Sequence, residues 1–259
     1  MKVSLFITCL ADNFFPRMGI AVVKVLEHFG CRVDFPCAQT CCGQPLYNNG
    51  FQRQARELAR RMVRIFADSE YVVTPSGSCA AMVQEHYSGP LNNDAAARRL
   101  AANTYEFTEF LGKVLKVDLR QAEVRWRGNV TYHYSCHLRG LGVTDEAVRL
   151  MRQIDGIEYV PSEKADQCCG FGGMFATKYP QISGALVRDK VTCIAASGAE
   201  TVVSNEPGCT MNISGACRRQ RCPVAFISLA EIIAEGLGLM EPVTDAPSES
   251  LICPATRHV

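Results

Sequence analysis

Short apolar runs of strand length alternate along the chain with longer segments in which apolar residues recur every three or four positions. The first run, VSLFITC (3–9), precedes a segment with apolar residues at helical spacing, namely Met18, Val22 and Leu26. Short apolar runs predict buried strands, and a period near 3.6 predicts amphipathic helices. Strands that alternate with helices are typical of a parallel sheet with right-handed crossovers.

The same order of elements occurs twice in the chain. VSLFITC (3–9) aligns with VTYHYSC (130–136), and YVVTPSGSC (71–79) aligns with TVVSNEPGC (201–209). Each half therefore reads strand, Cys, helix, strand, Cys-Cys-Gly, helix, strand, Cys, helix. We predict an α/β protein of two homologous half-domains related by internal pseudo-symmetry, each with a small parallel sheet flanked by helices.

The less patterned segments mark the limits of these units. The predicted half-domains span residues 1–120 and 128–240, and segment 118–128 joins them. The polar, Ala/Arg-rich segment 86–104 is expected to be an insertion in the first half. Residues 241–259 show no hydrophobic period, so we expect a flexible tail there.

Local signals predict several helix ends. Gly30 and Gly156 are expected to stop the first helix of each half. Thr144 is expected to cap the start of that helix in the second half. Ser228 and Glu231 form the sequence pattern of a capping box at the last helix.

Eight of the fourteen cysteines follow the repeat: Cys9, Cys41, Cys42, Cys79, Cys136, Cys168, Cys169 and Cys209. The first cysteine of each half precedes the adjacent pair by 32 positions, a fixed interval that packing does not require. Each cysteine lies at or just beyond a predicted strand end. The carboxyl ends of parallel strands meet at one edge of the sheet, with neighbouring strands ~4.8 Å apart. We therefore predict that four sulfurs of each half surround one inorganic centre.

Two further features favour an anionic centre at these positions. Helices are predicted to begin after the cysteines, and their first turns offer free N–H groups that stabilise thiolates. Gly43 and Gly170 follow the cysteine pairs. A residue without Cβ lets the backbone turn sharply and approach a bulky centre, so both glycines are candidate cofactor-binding residues.

Zinc and disulfides are the competing explanations for these cysteines. Structural zinc sites prefer cysteines separated by roughly two to four residues, which adjacent cysteines do not match. Iron–sulfur clusters are held by four thiolates at varied spacing. Disulfides are rare in a reducing compartment. The pattern favours iron–sulfur clusters, and zinc stays open as an alternative.

Composition narrows the class of protein. With 47% hydrophobic and 20% charged residues, the chain is too apolar for disorder. Its net charge of +1 gives no whole-chain attraction to nucleic acid, so we expect no such partner. No apolar run approaches the roughly 18–20 residues of a membrane span. Because Asp12 also interrupts the apolar amino terminus, we expect no transmembrane segment and a cytoplasmic location.

The other cysteines and two histidines receive weaker assignments. We expect simple packing for the cysteines without a counterpart in the other half, namely Cys31, Cys193 and Cys253. The roles of three more stay open: Cys37, Cys217 and Cys222. If the strand runs unbroken to Cys136, alternation places His133 on the opposite face from that cysteine. His137 is then the nearer histidine to the predicted centre.

Several motifs carry a family resemblance: CRVDFP (31–36), CCGQP (41–45), PSGSC (75–79), CCGFGG (168–173) and NISG (212–215). With them, the chain resembles the lactate utilisation protein A (LutA, YkgE) family over about residues 1–240. The doubled cysteine set is similar to the cysteine-rich CCG domains of heterodisulfide reductase and of the glycolate oxidase iron–sulfur subunit.

The chain departs from the heterodisulfide reductase pattern at the last motif of each cysteine set. In heterodisulfide reductases the last motif of each set is CxxC, whereas this chain has Met82 and Asn212 at the final positions. Each set therefore has four cysteines instead of five. The simplest expectation is one ordinary four-cysteine cluster in each half, and so two 4Fe–4S clusters.

The resemblance implies a cytosolic iron–sulfur electron-transfer subunit of a system that oxidises L-lactate to pyruvate. It further implies two partners, a LutB-like iron–sulfur protein and a LutC-like protein. The sequence itself displays no lactate pocket and no flavin or nicotinamide fingerprint. Two alternatives stay open, a thiol–disulfide catalytic subunit like heterodisulfide reductase and a non-redox zinc scaffold.

Overall fold

The computed structural model describes residues 1–91 and 95–242. Its strands are β1 Lys2–Leu5, β2 Arg32–Asp34, β3 Tyr71–Thr74, β4 Thr104–Glu106, β5 Arg125–Tyr132, β6 Asp155–Tyr159, β7 Thr201–Val203 and β8 Ala225–Ile227. They form two sheets in the orders β2-β1-β3-β4 and β6-β5-β7-β8. Every pairing in both sheets is parallel.

Helices connect the strands in both halves. In the first half they are α1 Cys9–Phe14, α2 Pro16–His28, α3 Gln44–Asn48, α4 Gln52–Ile65, α5 Gly77–Ala81, α6 Ala95–Asn103 and α7 Phe107–Glu109. In the second they are α8 Cys136–Gly140, α9 Glu146–Met151, α10 Met174–Lys178, α11 Pro180–Ser197, α12 Pro207–Arg219 and α13 Leu229–Gly236. Two wider π-helical segments follow α5 and α7, namely Met82–Leu91 and Phe110–Leu115.

The two sheets have the same topology, which confirms the predicted pair of homologous α/β halves. Val3 pairs with Tyr71 between β1 and β3, and Val130 pairs with Thr201 between β5 and β7. The registers therefore match the alignment of the repeats. Among the described residues, no helix is both long enough and apolar enough to cross a membrane.

One large core joins the halves, and two smaller cores belong to one half each. The large core contains Val3 and Val22 from the first half with Val130 and Ile233 from the second. It includes the contact of α2 with α13. Each smaller core holds the last two cysteines of one repeat, so burial of apolar side chains also shields one end of each sulfur set.

The two glycines that were expected to stop helices have different roles. Gly30 follows α2 with a φ of +82° and donates its N–H to the carbonyl of Glu27, as predicted. The prediction for Gly156 is wrong, since α9 already ends at Met151 and Gly156 lies in β6. Its φ is +89°, and a Cβ there would lie 2.9 Å from the carbonyl oxygen of Trp126. Gly156 therefore permits the close approach of β6 to β5.

The start of α9 also differs from the prediction, whereas that of α13 agrees. The side chain of Thr144 does not cap α9, because Asp145 occupies the cap position. The carboxylate of Glu146 instead accepts the N–H of Thr144 at 2.8 Å. The predicted capping box of Ser228 and Glu231 is confirmed at α13.

The connecting segments are only partly as expected. Strand β5 begins at Arg125, inside the segment 118–128 that was expected to link the halves, because Arg125 already pairs with Asp155 of β6. The predicted domain limits, 1–120 and 128–240, stay predictions. The expected insertion 86–104 contains a π-helical turn and α6, with residues 92–94 outside the described part. The expected tail lies outside it from residue 243 onward.

The contact between the halves can be tested at Gly77 in α5. A Cβ at this position would lie 2.8 Å from the Cβ of Leu138 in α8, so Gly77→Ala forces the two helices apart. Overpacking of this kind costs about 1–3 kcal/mol. We expect that loss in the free energy of unfolding, measured by urea denaturation.

The matched control is Gly140→Ala at the end of α8. No atom lies within 4 Å of a Cβ built at Gly140. We expect this substitution to be neutral or to stabilise by up to about 1 kcal/mol, because alanine has the higher helix propensity. Equal effects of the two substitutions would contradict close packing of α5 on α8.

Candidate metal centre

The eight repeated cysteines lie where the strands of both sheets end. Cys9 and Cys136 are the first residues of α1 and α8, which follow the central strands β1 and β5. Cys79 and Cys209 lie in the first turns of α5 and α12, which follow β3 and β7. The two adjacent pairs occupy the loops before α3 and α10. The topology thus places each set at one edge of its sheet, as the sequence predicted.

Within the first half, the four sulfurs form a continuous row. The Sγ atoms of Cys9 and Cys41 are 3.7 Å apart, and those of Cys42 and Cys79 are 3.4 Å apart. Cys41 and Cys42 also interact through their side chains, which closes the gap between the two pairs. Three separate loops therefore bring four thiols into contact.

The second half repeats this row in the same order. Cys136 interacts with Cys168, and Cys168 interacts with its neighbour Cys169. The Sγ atoms of Cys169 and Cys209 are 3.0 Å apart. Cys42, Cys79, Cys169 and Cys209 are buried, whereas Cys9, Cys136 and Cys168 are exposed. Each row therefore runs from an exposed end to a buried end.

Gly43 and Gly170 shape the loops of the cysteine pairs. Their φ values are +88° and +81°, a region that favours glycine. Gly43 donates its N–H to Cys41 Sγ at 3.5 Å, and Gly170 donates to Cys168 Sγ at 3.3 Å. A Cβ on Gly170 would lie 2.8 Å from the carbonyl oxygen of Ser183. The close approach that the structure displays is thus to α11, and approach to a bound centre stays a prediction.

The electrostatics of each row concentrate negative charge on one sulfur. Hydrogen bonds from Cys42 and Cys9, with a smaller one from the Gly43 N–H, lower the pKa of Cys41 to about 3. The same hydrogen bonds raise the pKa of Cys9 and, with burial, that of Cys42.

The second row is charged in the same way. Hydrogen bonds from Cys136 and Cys169 lower the pKa of Cys168 to about 2 and raise the pKa of both donors. Each row therefore holds one thiolate readily and resists further deprotonation by itself. A cationic centre removes that resistance, because thiolate ligands lose their protons on metal binding. Four converging thiols of this kind fit a metal ion or a cluster.

The condition under which the sequence placed His133 on the opposite face from Cys136 does not hold. Strand β5 ends at Tyr132, so strand alternation does not extend to Cys136. The ring of His133 instead points toward the second row, with a ring nitrogen and the Sγ atoms of Cys169 and Cys209 all within 4.8 Å of one another. Burial, and then the charge of Lys190, lowers the pKa of His133 to about 3, so its imidazole is neutral.

His137 also contacts the second row, as the sequence suggested. Its Nδ1 lies 3.7 Å from Cys136 Sγ, at the exposed end of that row. His133 was therefore missed as the buried neighbour. The available signal was the repeat itself, since the residue that aligns with His133 in the first half is the apolar Phe6.

The two rows open into one cavity of about 270 Å³. It is lined by all the repeated cysteines and by residues of both halves, including Leu10, Gln44, Ser78, His137, Phe171 and Glu206. The helices that carry the first and last cysteine of each row enclose it, since α5 packs against α8 and α1 packs against α12. The sequence predicted two separate centres, and the structure places the two cysteine rows across a common space.

Glu206 connects the halves at the wall of this cavity. Its carboxylate accepts hydrogen bonds from the hydroxyl of Ser76 at 3.0 Å and from the N–H of Ser78 at 2.8 Å. The hydroxyl of Ser78 donates a further bond at 3.0 Å. Because both serines lie just before Cys79 and Glu206 lies just before Cys209, this bridge fixes the two rows relative to each other. Sequence reasoning missed it, although Glu206 aligns with Ser76 at the cap of the corresponding helix.

The positions that depart from the five-cysteine pattern have structural roles here. Met82 is completely buried in the smaller core of the first half. The side-chain amide of Asn212 donates to the carbonyl of Cys169 at 2.8 Å. In the first half, the hydroxyl of Tyr87 donates to the carbonyl of Cys42 at the same distance. Both cysteine loops are thus held by a side chain from the helix behind them.

The remaining cysteines of the described part of the chain do not line the cavity. Cys31 and Cys193 are buried, which agrees with a packing role, and Cys253 lies outside the described residues. Cys37 is exposed. Cys217 and Cys222 interact with each other outside the two rows. Burial, together with Cys222, raises the pKa of Cys217 to about 12. Within the described part of the chain, none of these residues lines the cavity.

Comparison with known proteins gives strong similarities in sequence. The model of the cysteine-rich (CCG) domain family matches twice, at residues 3–84 and 130–214, which is more than half of the chain. Lactate utilization protein A of Geobacillus kaustophilus (strain HTA426) is 48% identical over 237 residues, which cover 90% of this chain and 98% of that protein. Lactate utilization protein A 2 of Bacillus cereus (strain AH820) is 43% identical over 243 residues, 92% of this chain and 99% of that protein.

Similarity to solved structures is much weaker. Glutamate racemase from Francisella tularensis subsp. tularensis SCHU S4 in complex with D-glutamate has 11% sequence identity and a TM-score of 0.36, covering 92% of this chain and 79% of that chain. A TM-score at this level carries no conclusion. The sequence relatives and both domain matches agree with the resemblance seen in the motifs. The chain belongs to the lactate utilization protein A family and contains two cysteine-rich CCG domains.

Proposed function

We propose that this protein is an electron-transfer subunit of an L-lactate oxidation system, with one iron–sulfur cluster in each half. The observation that carries the proposal is the pair of four-thiol rows that face one cavity. A single structural metal site would not need a second, equivalent donor set across a common space. Two redox centres, in contrast, need two donor sets across a common space, because electrons pass between centres that lie close together.

The donor residues of each half are assigned from the rows. Cys9, Cys41, Cys42 and Cys79 would hold the first cluster, and the second would be held by Cys136, Cys168, Cys169 and Cys209. Four thiolates are the usual ligand set of a 4Fe–4S cluster, which is the type we propose for both. Such a cluster supplies one-electron redox chemistry when bound.

The protein's own residues position these donors and limit the access of water. Thr8 accepts the N–H of Ala11 and Ser76 accepts the N–H of Cys79, which fixes the helix starts that present the first and last thiols. The rings and methyl groups of Phe171 and Leu10 line the cavity between the rows. The Glu206 bridge holds the rows at a constant separation. These features support transfer of electrons with little rearrangement.

The link to lactate rests on the relatives, which are named lactate utilization protein A. We propose that the chain acts in the cytoplasm with a LutB-like iron–sulfur protein and a LutC-like protein when L-lactate is oxidised to pyruvate. No residue of this chain is assigned to the chemistry of lactate itself. A thiol–disulfide catalytic role is the weaker candidate, because Met82 and Asn212 replace the fifth cysteines and serve packing and loop support.

Metal analysis of protein purified without oxygen tests the clusters. We expect iron and acid-labile sulfide in the native protein, and a loss of half of both in Cys79→Ser and in Cys209→Ser. The double variant should retain none, because each serine removes a buried ligand from a different row. Inductively coupled plasma mass spectrometry and EPR spectroscopy provide the measurement.

Cys37→Ser is the matched control, since this exposed cysteine does not line the cavity. Its iron content should equal that of the native protein. Protein that contains zinc alone and takes up no iron on reconstitution would contradict the cluster assignment and support the non-redox zinc scaffold. Iron that is lost from both rows in each single variant would argue for one shared centre.

A reconstituted reaction tests the role in lactate oxidation. The two partner proteins are mixed with L-lactate and a reducible dye, with and without this chain. We expect dye reduction to fall to background when the chain is omitted, and to stay at background with the Cys79→Ser/Cys209→Ser variant. Full activity is expected with Cys37→Ser. An unchanged rate in the absence of the chain would rule out the proposed role.

A further inference from the structure

The two halves differ at one buried position beside the cysteines. Phe6 lies three positions before Cys9, and His133 lies three positions before Cys136. Phe6 packs edge-on against Phe66, with ring centroids 5.8 Å apart, and needs no polar partner. His133 is only 4% exposed, yet neither of its ring nitrogens has a hydrogen-bond partner among the described residues.

An orphaned buried imidazole requires an explanation, because buried polar groups in native proteins are nearly always paired. The ring of His133 lies within 4.8 Å of the sulfurs of Cys169 and Cys209. A neutral imidazole carries one N–H group, which can donate to sulfur. The two sulfurs are candidate acceptors for that N–H group.

A second difference between the halves also places a polar side chain in the second half where the first half has an apolar one. Leu58 in α4 and Leu186 in α11 are equivalent positions, since their Cβ atoms lie 3.6 Å and 3.1 Å from a Cβ built on the glycine of each Cys-Cys-Gly motif. Four residues later, the first half has Met62 and the second has Lys190. Both side chains are buried to 2% exposure or less.

Lys190 adds polarity close to the second row. Its ammonium group donates to the carbonyls of Lys164 at 2.6 Å and Ala165 at 3.1 Å, in the segment just before the cysteine pair. Arg139 binds the carbonyl of Asp166 in the same segment at 2.6 Å. Two cationic side chains thus bind the segment just before the second cysteine pair. In the first half, Met62 takes the place of Lys190, and the exposed Arg61 binds the carbonyl of Ala38 at 3.2 Å.

We propose that His133 donates an N–H hydrogen bond to a sulfur of the second row and makes that centre the higher of the two in reduction potential. This inference rests on the proposed function, because it assumes an iron–sulfur cluster in each half. Hydrogen bonds to cluster sulfurs stabilise the more negative, reduced state and so raise the potential. Electrons then pass from the first half to the second, which gives the carrier a direction.

Redox titration followed by EPR spectroscopy tests the inference. The native protein should show two potentials, and the signal lost in Cys209→Ser identifies the second centre. In His133→Phe, which introduces the residue used by the first half, we expect only the second potential to fall. The expected fall is at least tenfold in the equilibrium constant for reduction, about 59 mV for a one-electron couple.

The reciprocal variant Phe6→His supplies a donor to the first row and should raise only the first potential. His28→Phe is the control, because His28 is an exposed residue at the end of α2. It should leave both potentials unchanged. If both potentials are also unchanged in His133→Phe, the proposed hydrogen bond is absent and the inference is overturned.

A measurement on the native protein avoids dependence on the folding of a variant. Protein with 15N-labelled histidine is reduced and studied by pulsed EPR. A weak nitrogen coupling at the second centre that is retained in His137→Gln supports a hydrogen bond from His133 to sulfur, because His137 also lies beside this row. A strong coupling, which marks a nitrogen bound directly to iron, or no coupling at all would contradict it. Absence of iron in the native protein is a separate result that refutes the proposed function itself.

Discussion

The arrangement of the site depends on the reciprocal packing of the helices that carry the first and last cysteine of each row. Helix α5 of the first half contacts α8 of the second, and α12 of the second contacts α1 of the first. The first contact is close because Gly77 carries no Cβ where Leu138 approaches, and in the second contact Leu10 of α1 lies 3.6 Å from a Cβ built at Gly208. Two sheet edges that would otherwise face solvent thus face each other, and the Glu206 bridge fastens them.

Each row of thiols is in turn a consequence of its sheet. Parallel strands place three loops at one edge, and the helix starts and glycine turns direct four sulfurs inward. Crowded thiols share protons, which leaves one thiolate at Cys41 and one at Cys168. Such an arrangement is poorly suited to packing and well suited to a cationic centre. The chain therefore builds the same donor set twice and joins the two through a single large core.

The repeat made much of this predictable. A fixed interval between cysteines identified the thiols that converge, and apolar periods identified the strands and helices that carry them. Local signals were less reliable. Gly156 has the sequence context of a helix stop but serves a close strand contact, and Thr144 lies one residue before the cap position, which Asp145 occupies. A glycine or a threonine permits several local structures, and tertiary contacts select among them.

The sequence by itself determined the two α/β halves, the family and the eight thiols that converge at the sheet edges. These depend on local periodicity and on a duplicated pattern, both of which are visible in one chain. Only the tertiary structure decided that both rows face one cavity, that Glu206 spans it, and that His133 points at Cys169 and Cys209. The reason is physical, since these contacts join residues far apart in sequence, and their geometry follows from how the two sheets pack.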